Sequence, residues 1–134
     1  MKKTSEELKT FLDFIKECQM RYNAAYEVVG REDKRGQDLL HMIEFERSSG
    51  ERNKLATKLR RSRIERRQNK DIVEELQPVV DFLADRQHKK TIDHMTQLLG
   101  VVRKEESRHE NRVYHPRVEK QAGGTDNEAG RRNR

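Results

Sequence analysis

Apolar residues recur along the first quarter of the chain at alternating steps of three and four, which is the spacing of an amphipathic helix. The positions are Leu8, Phe11, Ile15, Cys18, Tyr22, Ala25 and Val29. Because the alternation is strict, it predicts one apolar seam of the coiled-coil type along the first helix. Thr4 and Glu7 have the spacing of a capping box, so we expect this helix to begin near Ser5.

A polar interval follows this seam and is bracketed by Gly30 and Gly36. An apolar face resumes at residues 39–43. Since the interval contains no proline and no turn dipeptide, we expect the first helix to continue through it, weakened or bent, over about residues 5–47. The residues Ser-Ser-Gly at 48–50 then supply a turn and a cap for the next helix.

The second helix is predicted over about residues 50–87 and has an apolar seam with a polar middle. Its seam positions are Leu55, Leu59, Ser62, Arg66, Asn69, Val73, Leu76, Val80 and Leu83. Pro78 lies within this pattern and cannot donate a backbone hydrogen bond to the Glu74 carbonyl. We therefore expect a kink at Pro78, with a break in the helix as the alternative.

A third helix is predicted over about residues 91–113, after a short polar connection at 86–90. Its seam positions are Ile92, Met95, Leu99, Val102, Glu106, His109 and Val113. Pro116 ends this helix, because a residue before proline is pushed out of the helical region. Residues 119–134 lack apolar periodicity, and we expect this tail to be disordered.

These patterns predict an all-α fold: an elongated antiparallel helical hairpin with a shorter third helix, or three-helix bundle of the coiled-coil type, and a disordered C-terminal tail. Residues 1–118 would form a single helical domain. Short connections predict that the three helices run up, down and up. Because the third helix is the shortest, it should leave part of the hairpin bare, either near the turn at 48–50 or along the polar middle of the second helix.

Composition changes this picture little. Charged residues make up 40% of the 134 residues and hydrophobic residues 31%, so we expect an ordered but slender molecule. The chain lacks an apolar run long enough to span a membrane, and its first residues lack the apolar region of a secretory signal. We therefore expect no membrane association and a cytoplasmic location. The single cysteine, Cys18, is predicted to be a small buried hydrophobic residue of the first seam.

Charge divides the second helix into two halves. Residues 51–70 hold nine Lys or Arg against two Glu, a net charge of +7. Residues 71–85 hold five carboxylates and no Lys or Arg, a net charge of −5. Since the whole chain carries +6, the basic half accounts for more than the entire surplus. It is the strongest candidate for a binding surface.

Five arginines of the basic half form the candidate partner-binding site, and three carboxylates of the acidic half would set the partner's orientation. These residues are Arg60, Arg61, Arg63, Arg66, Arg67, Glu74, Glu75 and Asp81. The cluster has three interpretations: a solvated face salt-bridged to the acidic first helix, a docking site for a protein, or a binding site for nucleic acid. The lack of aromatic residues within the basic run counts against nucleic acid.

Three pairs of a carboxylate and a histidine have the i, i+3 spacing found in di-iron helical bundles. They are Asp38 and His41, Asp85 and His88, and Glu106 and His109. Such a site needs its pairs at one level of the bundle with further buried carboxylates, and the predicted seams show neither. Glycine-rich phosphate loops, nucleophile elbows and zinc-protease motifs are also lacking. We therefore expect no metal, no cofactor, no small-molecule substrate and no enzymatic activity.

Five short segments carry a resemblance to a known group of proteins. They are EDK at 32–34, QDLLH at 37–41, KLATKLR at 54–60, QLLG at 97–100 and RVYHPRV at 112–118. Over about residues 8–118 the chain is similar to small, uncharacterised helical proteins encoded by phages and prophages of Gram-positive bacteria. This resemblance implies a protein of the cytoplasm of an infected or lysogenic bacterium, and it assigns no catalytic or binding residue.

The sequence thus predicts a non-enzymatic phage or prophage accessory protein that binds a macromolecular partner through a basic helix. The partner would be a host protein, another phage protein or a second copy of the chain. Self-association is the simplest case, because antiparallel pairing of two second helices lays each basic half on the other's acidic half. The alternative is a sequence-independent nucleic-acid-binding protein that uses the same arginines to neutralise phosphates.

Overall fold

The computed structural model describes residues 1–118, and within them the fold consists of three helices without a strand. These are α1 (Thr4–Phe45), α2 (Ser49–Ala84) and α3 (Arg86–Glu110). The all-α prediction is confirmed. The prediction of a disordered tail at 119–134 lies outside the described residues. None of the three helices is long and apolar enough to cross a membrane.

The first helix begins one residue earlier than expected, and its capping differs from the predicted box. The backbone N–H of Lys3 donates to the Glu6 carboxylate at 3.0 Å, and no Thr4–Glu7 box forms. As predicted, α1 continues without interruption through Gly30 and Gly36. Its 42 residues give a rod of about 60 Å, and this rod is the element against which both other helices pack.

The buried positions of α1 follow heptad steps for most of its length. They are Ser5, Leu12, Cys18, Ala25, Glu32 and Leu39. The seam prediction was wrong at Phe11, which is 42% exposed, whereas its neighbour Leu12 is 7% exposed. The reason is that α3, not α2, covers the first turns of α1, so a line displaced by one residue faces inward there. Cys18 is 1% exposed, as predicted for a small core residue.

All nine predicted seam positions of α2 are buried or partly buried, and the polar residue Ser62 is among the most buried of them. The helix begins after Ser48, whose hydroxyl accepts a hydrogen bond from the Glu51 backbone N–H at 3.3 Å. It passes through Pro78 without a break and ends at Ala84, three residues before the predicted end.

The predicted polar connection at 86–90 was wrong, because α3 begins directly at Arg86 and only Asp85 separates it from α2. Asp85 has an extended backbone, and its carboxylate accepts a hydrogen bond from the Gln87 N–H at 2.8 Å, which caps the new helix. The His88 ring stacks on Phe82 across this junction with ring centroids 3.7 Å apart. At its other end α3 stops at Glu110, before the predicted Val113.

The first two helices are antiparallel, as predicted. The Tyr22 hydroxyl donates to the Gln77 side-chain carbonyl at 2.8 Å, and the Ser62 hydroxyl donates to the Glu32 backbone carbonyl at 3.4 Å. Rising residue numbers in α1 therefore meet falling numbers in α2.

The third helix does not return alongside α2, which differs from the expected up, down and up order. Glu106, near its end, bonds Ser5 at the start of α1, whereas Ile92 lines one groove with Ile15. Rising numbers in α1 thus meet falling numbers in α3 as well, so α2 and α3 run in the same direction. A break of one residue is shorter than the two to five residues that usually reverse a helical chain.

The long rod of α1 is therefore covered in two parts. α3 packs along its first turns, and α2 packs along the rest. From about Tyr22 to the turn after Phe45 the described structure is a hairpin of two helices. This bare region includes the polar middle of α2 and the turn that precedes α2, which are the two places where missing cover was expected.

Candidate interaction site on the second helix

A buried polar layer lies beneath the arginine cluster. Glu32 of α1 is 4% exposed and Ser62 of α2 is 2% exposed. Glu32 Oε2 lies 3.4 Å from Arg31 Nε and its Oε1 lies 3.6 Å from Arg35 Nη1. Within residues 1–118, Glu32 Oε1 has no hydrogen-bond partner. The layer thus contains a charged carboxylate whose hydrogen-bonding capacity is only partly used.

The pKa of Glu32 is lowered from the usual value of a glutamate. The Ser62 hydroxyl is the largest cause, although its hydrogen bond, at 3.4 Å, goes to the backbone carbonyl of Glu32 and not to the carboxylate, and Arg31 and Arg35 act in the same direction. Burial acts in the opposite direction, because it disfavours the charged form. Glu32 is therefore ionised at neutral pH, and the hairpin carries a negative charge in its interior.

One predicted site residue, Arg66, is used within the hairpin. Its Nε forms an ion pair with Asp33 of α1, and its side chain is 34% exposed. Because Arg66 occupies a seam position, its guanidinium reaches across to the neighbouring helix. The interpretation that the cluster is salt-bridged to α1 therefore describes this arginine, which is less available to a partner than the others.

The other four arginines of the predicted site are exposed, namely Arg60, Arg61, Arg63 and Arg67. As far as the structure describes the chain, none of them lies within 4 Å of a carboxylate. A guanidinium offers five hydrogen-bond donors and fits a carboxylate or phosphate with two of them at once. The surface therefore has four guanidiniums whose capacity for ionic partners is unused.

Three of these arginines lie on one stripe of α2, because Arg60, Arg63 and Arg67 are spaced by three and four residues. Lys70 continues the stripe at the next three-residue step. Arg61 lies about 100° further round the helix. Sequence reasoning missed Lys70, although counting helical steps from Arg60 finds it.

The same stripe continues into the acidic half of the helix through Glu74, Gln77 and Asp81. We call the seven positions the charged stripe: Arg60, Arg63, Arg67, Lys70, Glu74, Gln77 and Asp81. Glu74 and Asp81, both predicted site residues, are exposed. The third predicted carboxylate, Glu75, is also exposed but lies about 100° away from Glu74 round the helix. The structure therefore divides the predicted site between two faces.

The acidic part of the stripe is held in place by α1. Gln77 accepts the hydrogen bond of the Tyr22 hydroxyl at 2.8 Å and donates to the Asp81 carboxylate at 2.9 Å. The basic part borders an open groove of about 430 Å³ between the two helices, to which Arg63 of α2 and Leu40 of α1 contribute. The stripe thus lies on one continuous helix, and hydrogen bonds tie its acidic part to α1.

In two of the three carboxylate and histidine pairs the carboxylate has a structural role, because Asp85 caps α3 and Glu106 bonds the start of α1. Glu106 accepts hydrogen bonds from the Ser5 backbone N–H at 3.0 Å and from its hydroxyl at 2.6 Å. These two bonds are the largest causes that lower the pKa of Glu106. His109 lies 3.7 Å from Glu105 instead. Among residues 1–118 no group of three or more His, Cys, Asp or Glu side chains is arranged to hold a metal ion.

Comparison of the chain with models of protein families, with curated proteins and with solved structures gives no match.

Proposed function

We propose that this chain is a non-enzymatic interaction module that docks onto an acidic surface of a protein partner through the exposed arginines of α2. The partner would be a host protein, another phage protein or a second copy of the chain, in the cytoplasm of a bacterium that carries a phage or prophage. Its docking surface is formed by Arg60, Arg61, Arg63 and Arg67, and Glu74 and Asp81 orient the partner.

The observation that supports this proposal is the contrast within one arginine cluster. Arg66 is paired with Asp33. The four exposed arginines, in the region described, have no carboxylate within 4 Å and lie where the hairpin has no third helix over it. Exposed charges on a rigid helix give specificity and a fast association rate to a partner of opposite charge.

The stripe fits a protein better than a nucleic acid. The four basic residues from Arg60 to Lys70 extend over roughly 15 Å, after which Glu74 and Asp81 follow on the same line. A phosphate backbone lying along the stripe would meet these carboxylates, which repel it. Ile64 is 47% exposed among the arginines and offers an apolar contact of the kind that protein interfaces use.

The test is capture of partners from a bacterial lysate by the full chain and by two fourfold variants. One variant changes Arg60, Arg61, Arg63 and Arg67 to Ala. Its matched control changes Lys16, Arg21, Lys34 and Arg47 to Ala, which removes the same charge from exposed positions elsewhere. We expect that some proteins bind to the native chain and to the control but do not bind to the first variant. Equal retention by both variants contradicts it.

The same variants identify nucleic-acid binding if that is the true activity. A gel shift with a duplex oligonucleotide would then show a complex that the first variant loses and that weakens steeply with added salt. If this complex forms and the first variant captures the same proteins as the native chain, the partner is nucleic acid and not a protein.

A further inference from the structure

We propose that the partner of the charged stripe is the stripe of a second copy of this chain, paired antiparallel about a two-fold axis. This inference rests on the proposed function, because it names the acidic surface onto which the arginines dock. Along the stripe the basic residues all precede the acidic ones. A stripe of this kind is complementary to itself when one copy is reversed.

The register of this pairing follows from the positions of the charges. Arg60 and Asp81 have their midpoint between residues 70 and 71, and Arg67 and Glu74 have the same midpoint. An axis placed there therefore puts Arg60 opposite Asp81 of the second copy, and Arg67 opposite Glu74 of the second copy. Two-fold symmetry repeats each contact, so one register forms four ion pairs.

An apolar contact accompanies these ion pairs on one flank of the stripe. Ile64 and Pro78 are both exposed and lie on the line next to Arg60 and Arg67. Their midpoint is residue 71, half a residue from the axis, so the pairing brings Ile64 close to Pro78 of the second copy. In antiparallel helix pairs a flank meets the same flank of the other helix. On the opposite flank Lys70 therefore meets Lys70 of the second copy, with Glu74 of both copies within one helical turn.

The charges that this pairing uses are otherwise unused. In the described part of the chain, Arg60, Arg67, Glu74 and Asp81 form no ion pair. The spacing of Lys70 and Glu74 would permit a pair within the helix, but with the base nearer the N-terminus, which is the weaker orientation. The region also lacks a third helix that would block the approach of a second hairpin.

The pairing is expected to be weak and sensitive to salt, because exposed ion pairs contribute little individually and are screened. The experiment is sedimentation of the full chain over a dilution series at low and at raised salt. The expected result is a reversible monomer–dimer equilibrium whose dissociation constant rises with salt. A chain that remains monomeric at every concentration at low salt overturns the proposal.

Charge reversal tests the register. Arg67→Glu or Glu74→Arg alone should each raise the dissociation constant roughly tenfold, because each places like charges opposite one another twice. The double variant Arg67→Glu/Glu74→Arg should restore association, because residues 67 and 74 exchange their charges across the axis. Double-variant association as weak as that of the single variants overturns the register.

The matched controls are Lys58→Glu and Glu65→Arg, two exposed positions seven residues apart that make the same charge changes on the opposite side of the helix. They should leave the dissociation constant unchanged, and circular dichroism should show equal helix content in all variants. The two proposals can fail separately. A monomeric chain that still captures proteins through its arginines overturns self-association and retains docking onto another protein. A dimer with no arginine-dependent capture retains only the pairing proposed here.

Discussion

Two pairs of a serine and a glutamate hold α1 to its neighbours, and they differ in how well the carboxylate is satisfied. At the start of α1 the Glu106 carboxylate accepts one hydrogen bond at each oxygen from Ser5, at 3.0 and 2.6 Å. In the middle of the hairpin the Ser62 hydroxyl donates instead to the backbone carbonyl of Glu32, at 3.4 Å. Glu32 Oε1 is left without a hydrogen bond among the residues described.

The difference shows that a serine and a glutamate can stabilise a contact between helices at one place and limit the possible registers of two helices at another. A half-exposed carboxylate with two charge-assisted hydrogen bonds stabilises the contact between α1 and α3. In the buried carboxylate of Glu32 one oxygen lacks a hydrogen bond, so part of its desolvation cost is not offset, although its neighbours lower its pKa. We infer that the layer of Glu32 and Ser62 helps to select the register of the hairpin, since sliding the helices by one heptad in one direction would place Glu32 against the apolar Leu55.

The largest effect is expected from a substitution that weakens the packing of α3 on α1. Leu99 is 5% exposed and is the only buried residue of α3. Leu99→Ala should cost about 2–3 kcal/mol, the lower end of the range for a buried leucine, because the thin fold lets water reach the cavity. Hydrogen exchange measured by mass spectrometry should rise in α3 and the first turns of α1.

Amides between Tyr22 and the turn after Phe45 should keep their protection in this variant. A uniform loss of protection along α1 would show that the two parts of the rod unfold together. The matched control is Leu98→Ala, a neighbouring leucine that is 48% exposed, for which we expect little change.

The next effect is a gain in stability when the buried charge is removed. Glu32→Leu should raise the free energy of unfolding by about 1–2 kcal/mol, because it replaces an incompletely satisfied carboxylate by an apolar group of similar size. Arg31 and Arg35 have side chains that are 65% and 52% exposed, so they regain water when their partner is lost. Urea denaturation measures the change.

If Glu32 fixes the register of the hairpin, the stabilised Glu32→Leu variant should adopt more than one register. The amide NMR spectrum of Glu32→Leu would then show more than one set of signals for the hairpin, whereas the native chain would show one set. A loss of stability in Glu32→Leu would show that the buried charge stabilises the hairpin and would reverse our interpretation of the layer.

A smaller effect is expected when the hydroxyl at the α1–α3 contact is removed. Ser5→Ala deletes one of the two hydrogen bonds to Glu106 and keeps the backbone one. The pKa of Glu106 should therefore move back toward the usual value of 4.5, without reaching it. Titration followed by carboxyl NMR signals measures this shift. An unchanged pKa would mean that the backbone N–H alone holds the carboxylate.

The smallest effect is expected from a change of pH, which should alter the free energy of unfolding gradually. The pKa values of Glu32 and Glu106 are both lowered in the fold. Their contribution is therefore fully present above the unfolded value of about 4.5 and is lost as the pH falls through the lowered values. The urea midpoint should be lower at pH 3 than at pH 6, and Ser5→Ala should reduce this difference. A midpoint independent of pH would contradict both shifts.

Sequence reasoning succeeded best where one helix has one neighbour. The seam of α2 was found position by position, including the polar residues Ser62 and Asn69, because the spacing from Leu55 to Leu83 is uninterrupted. It failed at Phe11, because the buried line of α1 changes where a different helix covers it, and periodicity does not show which helix that is.

The remaining differences have both long-range and local causes. The ion pair of Arg66 with Asp33 requires the register of the hairpin, which local spacing does not specify. The start of α3 was missed because its first turn is polar and exposed, and because Asp85 serves both as the end of one helix and as the cap of the next. The division of the candidate site between two faces of α2 needed only the helical angle of each charge.

The single residue between α2 and α3 has a mechanical consequence. All relative motion of the two helices passes through the backbone torsions of Asp85, so α3 is a lever with its pivot at one end and its fastening at the other. The fastening consists of the packing of the buried Leu99, the Ser5–Glu106 bonds and the ion pair of Lys3 with Glu110, at 2.7 Å. Opening these contacts would swing α3 away as a rigid arm, without breaking a backbone hydrogen bond inside either helix.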